Sequence, residues 1–312
     1  MLLAVTGSTG FLGRHLVAAA LRGGHRVRAL VRPGRAPAAG SEAVVGDLAD
    51  LGALDRLVAG ADAVLHLAAA GVKARDRIWE QLIRVNVEQP VALVEAAAEA
   101  KVRRFVAAGT CLEYRGHGTL PDRLAPPGAV CCETDPLEVA EPYGAAKAAG
   151  GLLLRARARD LGLPVWYLRL ASVYGPGDDS EKLLPAAAHA ARTARPFELS
   201  PGEQVREWLH VDDAIEALLA AAMTEPPGGV ATLNVGTGDG RALREVVERL
   251  FFIAGAEATL VRSGARPYRR GEPHRLVMAG EAVRVALPGW RPRVNLDDGL
   301  TTLAGAIRRE EN

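Results

Sequence analysis

Apolar runs of strand length alternate with helical patterns through the first half of the chain. Residues 2–5 precede an amphipathic stretch over 11–21, 27–31 precede 51–58, 63–67 precede 78–100, and 104–107 precede 143–160, with a last run at 165–170. Continuous apolar strands, each followed by a helical period, build βαβ units, hence a parallel sheet with helices on both faces. Such a sheet binds its ligand at the carboxyl ends of its strands, near the switch in strand order. The loops after the strands are therefore where chemistry is expected. Beyond Gly175-Pro176-Gly177 the pattern loosens into segments rich in glycine, proline and arginine. Helices are predicted there over 182–193, 212–223, 243–254 and 300–308, and a strand over 230–235 that returns to the main sheet.

At 312 residues the chain suits one α/β domain with a smaller lobe. The division expected is 1–172 plus about 205–237 for the first, and about 173–204 plus 238–312 for the second. Lysines and arginines number 38 against 37 acids, a net charge of +1, so no electrostatic case exists for nucleic acid or a membrane surface. Small soluble partners are favoured. The opening residues lack the cationic stretch of a signal peptide, and no apolar run approaches the roughly 20 residues that span a bilayer. The three cysteines form neither a disulfide framework nor a paired zinc spacing. A cytoplasmic protein without a metal is the expectation.

The turn after the first strand reads Thr6-Gly7-Ser8-Thr9-Gly10-Phe11-Leu12-Gly13. Glycines so spaced let the main chain approach a pyrophosphate and let the next helix pack close, while the helix N-terminus supplies N–H donors and partial positive charge. With 34 glycines the pattern arises by chance roughly 0.4 times; its weight comes from its place at the first strand-to-helix turn. Gly7, Thr9, Gly10, Phe11, Leu12 and Gly13 are thus candidate cofactor-binding positions in a Rossmann-type, doubly wound sheet. An acid at the end of the second strand would receive the ribose of NAD, whereas arginine would pair with the 2′-phosphate of NADP. The sequence there is Val31-Arg32-Pro33-Gly34-Arg35. Arg32 joins the cofactor candidates, and NADP(H) is favoured with NAD(H) possible.

Tyr143-Gly144-Ala145-Ala146-Lys147 opens a predicted helix. Five tyrosines and four lysines (Lys73, Lys101, Lys147, Lys182) would give this spacing only about 0.06 times by chance. The i,i+4 separation puts phenol and ammonium on one face. A neighbouring cation is expected to lower the phenol from about 10 toward a value suited to proton transfer.

Further motifs accompany these: Gly46-Asp47-Leu48, His66-Leu67-Ala68-Ala69, Val85-Asn86-Val87, Val173-Tyr174-Gly175-Pro176-Gly177, and Arg206-Glu207-Trp208-Leu209-His210-Val211-Asp212-Asp213. Together they resemble the extended short-chain dehydrogenase/reductase family of nucleotide-sugar epimerases, dehydratases and ketoreductases, over nearly the whole chain. The resemblance implies an α/β fold with a Rossmann-type doubly wound parallel sheet and a smaller, discontinuous C-terminal substrate lobe. It implies Thr110, Tyr143 and Lys147 as catalytic residues: Tyr143 moves the proton, Lys147 holds the nicotinamide ribose, and Thr110 takes the Ser/Thr place. Asp47 and Leu48 fall at the adenine turn, and Leu67, Ala68, Ala69 and Asn86 at the cofactor loop. Arg206 and Arg269 would clamp the diphosphate of a nucleotide sugar, and Ser172 stands where many relatives carry asparagine at the substrate. A homodimer through the helices over 78–100 and 143–160 is implied as well.

The stretch Ala108-Gly109-Thr110-Cys111-Leu112-Glu113-Tyr114-Arg115 narrows the reaction. Related dehydratases carry Asp-Glu after the threonine, and decarboxylating relatives keep a glutamate at the second place; here Cys111 and Leu112 stand instead. Cys111 reads as a small wall residue without an activating cation or base beside it in sequence, and Glu113 falls outside the acid positions. Three readings stay open: an NADPH-dependent 4-ketoreductase for a nucleotide-linked keto-deoxy sugar, an NAD-dependent 4-epimerase, and a non-catalytic dinucleotide sensor.

Overall fold

The computed structural model describes residues 1–139 and 141–310. The first half consists of β1 (Leu2–Thr6), α1 (Phe11–Arg22), β2 (Arg26–Val31), β3 (Glu42–Val45), α2 (Leu51–Val58) and β4 (Ala63–His66). Next come α3 (Trp79–Ile83), a π-helical turn at Arg84–Glu88, α4 (Gln89–Glu99), β5 (Arg104–Thr110), α5 (Pro142–Leu161) and β6 (Val165–Leu170). The second half holds β7 (Ser172–Tyr174), α6 (Leu183–Arg192), β8 (Phe197–Leu199), β9 (Val205–His210), α7 (Val211–Met223) and β10 (Val230–Val235). The chain continues through β11 (Gly240–Ala242), α8 (Leu243–Ile253), β12 (Val261–Ser263), β13 (Arg275–Leu276), α9 (Glu281–Ala286) and α10 (Leu296–Glu310).

Seven strands form one parallel sheet in the order β10-β6-β5-β4-β1-β2-β3. Its central strands are largely apolar because both faces are covered. Leu3, Val5, Leu65 and Val106 point into a core with Leu16 and Val17 of α1 and Ile215 and Leu218 of α7. Their neighbours Leu2, Ala4, Val64 and Phe105 point into a second core with Leu54 of α2, Leu93 of α4 and Leu154 of α5. Each of the leucine, valine, isoleucine and phenylalanine side chains contributes about 1.5–3 kcal/mol on full burial, so a one-residue slip in register is disfavoured along the whole strand. The order reverses between β4 and β1, which opens the ligand crevice above the carboxyl ends of those strands. Val230–Val235 does join this sheet, in parallel with β6.

The fold departs from the sequence pattern in two places. β3 is a four-residue edge strand with three residues exposed, and its run Ala43-Val44-Val45 is too short to stand out as a strand. The single helix expected over 78–100 is broken by the π-helical turn. There the Asn86 side chain accepts from Ala70 N–H at 3.0 Å and donates to Ala70 O at 2.9 Å, while Gly150 of α5 packs so close that a Cβ would run into the Asn86 carbonyl. The extra residue in a π turn turns Asn86 toward the loop after β4.

Further elements pack beside this sheet, and Leu209 of β9, Leu276 of β13 and Val283 of α9 join its first core. β9 pairs with β7, β11 and β13, and β8 pairs with β12. α6, α8 and α10 enclose a separate core of Leu184, Val247, Leu250, Phe251 and Leu300. Among the described residues, no helix is long and apolar enough to cross a membrane.

Candidate active site

At the end of β1, Gly7 takes a φ of 73°, a left-handed value that costs glycine no Cβ strain. A Cβ there would stand 2.6 Å from the Ala68 nitrogen, so Gly7 also lets this turn lie against the 67–69 loop after β4. Thr6 and His66, partners across β1 and β4, fasten the two: Thr6 Oγ1 lies 2.8 Å from His66 Nδ1 and accepts from Ala68 N–H at 3.4 Å. Burial pushes His66 down to about 3, the charge of Lys147 adding to the effect, so the ring is neutral.

α1 begins at Gly10 without a side-chain cap, and a Cβ on Gly10 would meet only Gly7 O, at 3.3 Å. An uncapped helix N-terminus beside an open glycine face presents N–H donors to an anion, and these residues fit a dinucleotide pyrophosphate. Thr9, Phe11 and Leu12 border this face half-buried, and Gly13 is buried beneath it. Arg32 is exposed at the end of β2, and Asp47 is exposed after β3, accepting from Ala49 N–H at 2.8 Å, while Leu48 is in the core. Asn86 spends both halves of its amide on Ala70, and so supports the 67–70 loop from behind.

Thr110 ends β5 in a reciprocal capping arrangement. Its Oγ1 accepts from Leu112 N–H at 3.3 Å, and Glu113 Oε1 accepts from Thr110 N–H at 2.9 Å. The Thr110 hydroxyl oxygen is thus used as an acceptor, and its proton remains to be donated. α5 starts at Pro142, where a missing N–H costs nothing, and Glu141 before it pairs with Arg77. Gly144 seats this first turn on the strand end, since a Cβ would run into the Leu112 carbonyl. Tyr143 and Lys147 are both buried on α5.

The lowered phenol expected from the i,i+4 spacing does not hold. Burial pushes Tyr143 well above its ordinary value, Glu113, Glu141 and Cys111 add to this, and Arg77 opposes it. The packing that brings Lys147 to the same face takes both groups out of water, and desolvation disfavours the phenolate. Burial also lowers Lys147, with Glu113 opposing. Tyr143 is therefore protonated at neutral pH, a donor and not a ready base. The Cys111 thiol is pushed up to about 12 by burial and then by Glu207, while Arg206, Ser172 and Thr110 oppose. It is inert, and the same influences group Thr110, Cys111, Ser172 and Arg206 on one side of the site.

Arg206 donates to Glu272 Oε1 at 2.5 Å, to Val205 O at 2.9 Å and to Pro273 O at 3.0 Å. Arg269 is exposed, yet its charge acts on both Arg206 and Glu141. Two arginines repelling one another at a rim form a place for a doubly charged anion. Glu207 is buried beside them and accepts from Gly238 N–H at 2.5 Å and Met278 N–H at 2.9 Å, which fixes the two segments that flank β9.

Sequence reasoning missed Glu113, which is fully buried and pairs with Arg169 Nε at 2.9 Å. One signal was present: Arg169 stands alone in the otherwise apolar strand Val165–Leu170, and a buried arginine requires a carboxylate partner. His117, Cys131 and Asp135 also come together, their donor atoms within 4.8 Å of one another, which the cysteine spacing did not foretell. The Cys131 Sγ lies 3.8 Å from His117 Nε2, and burial pushes this thiol up to about 12. Asp135 Oδ2 accepts from Cys132 N–H at 2.8 Å. The three clasp the loop between β5 and α5.

A parallel sheet with an uncapped glycine turn at its switch point, and a Thr–Tyr–Lys group on the next strand end and helix, defines a short-chain dehydrogenase/reductase. Residues 3–236 match the NAD dependent epimerase/dehydratase family. The chain belongs to that family, and is an extended short-chain dehydrogenase/reductase enzyme. It is 32% identical to a dTDP-glucose 4,6-dehydratase of Streptomyces niveus, over 96% of this chain and 90% of that one. A UDP-glucose 4-epimerase of Mycolicibacterium smegmatis is 30% identical over 98% of both chains. A dTDP-6-deoxy-L-talose 4-dehydrogenase (NAD(P)(+)) of Kitasatospora kifunensis is 31% identical over 96% and 94%. Among solved structures, DesIV, a dTDP-glucose 4,6-dehydratase from Streptomyces venezuelae with NAD bound, superposes with a TM-score of 0.86 at 30% identity, covering 100% of this chain and 98% of that one.

Proposed function

We propose that this chain uses NADPH to reduce the 4-keto group of a nucleotide-linked keto-deoxy sugar. The observation that carries the reading is the pair Cys111-Leu112 after Thr110, with the thiol buried and protonated. Elimination or decarboxylation at a neighbouring carbon needs an acid–base group beyond the one serving O4, and these two positions supply none. A buried, protonated Tyr143 suits the reductive direction, in which a proton is given up. The 4-dehydrogenase relative uses NAD(P)+ by its name, which agrees.

In this mechanism Arg206 and Arg269 hold the diphosphate of the substrate and so set the sugar over the strand end. Thr110 Oγ1, already accepting from Leu112 N–H, donates a hydrogen bond to O4 and polarises the carbonyl, keeping its proton. The nicotinamide, when bound, supplies the hydride that C4 accepts. Tyr143 gives its phenolic proton to O4 as charge develops there. Lys147 stabilises the phenolate left behind and holds the ribose. The uncapped start of α1 would hold the pyrophosphate, and Arg32 the 2′-phosphate. Residues 173–204 and 238–312 are read as the substrate lobe.

A second reading has support of its own. A 4-epimerase that retains NAD would oxidise and re-reduce the same carbon, and NAD is bound in the similar DesIV structure. We read the chain as a homodimer, because α3 and α5 carry exposed Ile78, Trp79, Ile83, Leu152 and Leu153; light scattering of the purified protein checks this. The deciding experiment denatures the purified chain, identifies any released dinucleotide, and follows NADPH absorbance with a 4-keto-6-deoxy nucleotide sugar. NADPH oxidation lost in Tyr143→Phe is expected. Tightly held NAD without NADPH oxidation would replace the reductase by the epimerase, unchanged activity in Tyr143→Phe would take Tyr143 out of the mechanism, and a bound dinucleotide with neither reduction nor epimerisation of any nucleotide sugar would leave only a dinucleotide sensor.

A further inference from the structure

Beneath the Thr110–Tyr143–Lys147 group lies a buried polar chain that the mechanism above does not use. Glu113 Oε1 accepts from the Thr110 N–H at 2.9 Å and from the Tyr167 hydroxyl at 2.8 Å, and Glu113 Oε2 accepts from Arg169 Nε at 2.9 Å. The Tyr167 oxygen also stands 3.0 Å from the carbonyl of Lys147 itself, so its single proton lies between that carbonyl and the carboxylate. Arg169 continues to the Tyr114 hydroxyl at 2.6 Å, and Tyr114 to Asn234 Oδ1 at 2.8 Å. The fold makes room for this chain deliberately. A Cβ on Gly109 would stand 2.6 Å from the Tyr167 ring and 2.7 Å from Glu113 Oε1, and one on Gly151 would run into the same ring.

We propose that Glu113 is a positioning residue: it ties the main chain of Thr110 to that of Lys147 through Tyr167. The same placement sets a negative charge near Lys147, which favours its ammonium form. Strand end and helix are separate elements: the carboxylate joins the end of β5 to Tyr167 of β6, and the Tyr167 hydroxyl, its one proton shared, reaches the Lys147 carbonyl of α5, a polar chain that fixes their relative height better than apolar contact does. Lys147 is 6% exposed, and an isolated ammonium so placed would tend to shed its proton. Burial and Glu113 are the two influences on it, while Lys147 in turn faces His66 of β4. Tyr143 faces Glu113, Glu141, Cys111 and Arg77, and Glu113 also acts on Arg155 of α5. Removing the Glu113 charge is thus expected to lower both Lys147 and Tyr143.

The inference rests on the catalytic reading of Thr110, Tyr143 and Lys147, and its test has an arm that does not need substrate. With lysines at 73, 101, 147 and 182 alone, protein labelled with 13C-lysine gives a side-chain NMR titration in which Lys147 is assigned by Lys147→Arg. In the charge-balanced double variant Glu113→Gln with Arg169→Gln, the Lys147 midpoint is expected at least about half a pH unit lower, the other lysines unmoved. An unchanged midpoint in a folded double variant overturns the charge role. Tyr167→Phe keeps the ion pair and serves even if the double variant does not fold. In it kcat is expected to fall about 3–10-fold with KM within about twofold. Wild-type kcat in Tyr167→Phe overturns the alignment role, since a side chain that merely fills the core would change only the melting temperature. Wild-type protein inactive on every nucleotide sugar tried would sink the functional reading while the lysine titration still decides the role of Glu113.

Discussion

Two arginine–glutamate pairs in this molecule have the same chemistry and opposite circumstances. Arg169 and Glu113 are 2% and 0% exposed and sit beneath Thr110 and Lys147, the guanidinium donating to Glu113 and to the Tyr114 hydroxyl. Arg206 and Glu272 are 12% and 15% exposed and sit at the rim, with Arg269 close enough to repel Arg206. A buried pair cannot trade partners, because each exchange would leave one charge without water or counterion. A rim pair can, since solvent stands ready to take the released carboxylate. The first pair therefore sets the shape of the site, and the second is suited to give way when an anion arrives.

That contrast is most directly broken at the buried end. Arg169→Met leaves Glu113 an uncompensated carboxylate, and a loss of about 3–5 kcal/mol in unfolding free energy is expected. Urea denaturation of wild type, Arg169→Met and the double variant Glu113→Gln with Arg169→Gln measures it. The double variant is expected to recover most of the loss, and equal instability in both variants would mean that packing and not charge pairing holds this strand end. At the rim, Arg206→Ala is expected to act on binding and not on folding. KM for the nucleotide sugar should rise about 10–100-fold, the worth of a desolvated arginine–phosphate contact, with kcat within about threefold. A fall in kcat at unchanged KM would move Arg206 from the substrate to the reaction itself.

The same contrast explains what was legible in the sequence. Sheet strands covered on both faces had to be largely apolar, so β1, β4 and β6 could be read directly despite Thr6, His66 and Arg169, whereas the short edge strand β3 could not. The glycine turn after β1 and the shared helix of Tyr143 and Lys147 were legible because each is set by local spacing. Asn86 stood out in the sequence as part of a motif, but the π turn that aims its amide at Ala70 depends on Gly150 of another helix. Glu113 and Arg169 are 56 residues apart, and only the pairing of β5 with β6 makes them neighbours. The Tyr143 phenol was misjudged for the same reason: spacing gave its cation, while desolvation, which dominates, belongs to the folded chain.

The smallest expected effect is also the most discriminating. Glu272→Gln removes the carboxylate from Arg206 but leaves that guanidinium its main-chain acceptors Val205 O and Pro273 O, so stability is expected to change by under about 1 kcal/mol. If Glu272 acts as a stand-in that the diphosphate must displace, its neutralisation makes displacement easier, and KM should fall about two- to threefold with kcat unmoved. If Glu272 instead holds Arg206 at the angle the substrate needs, KM should rise. Kinetics at two salt concentrations separate the two causes. Relief of competition between charges shrinks as salt screens them, while loss of a guide for the guanidinium persists.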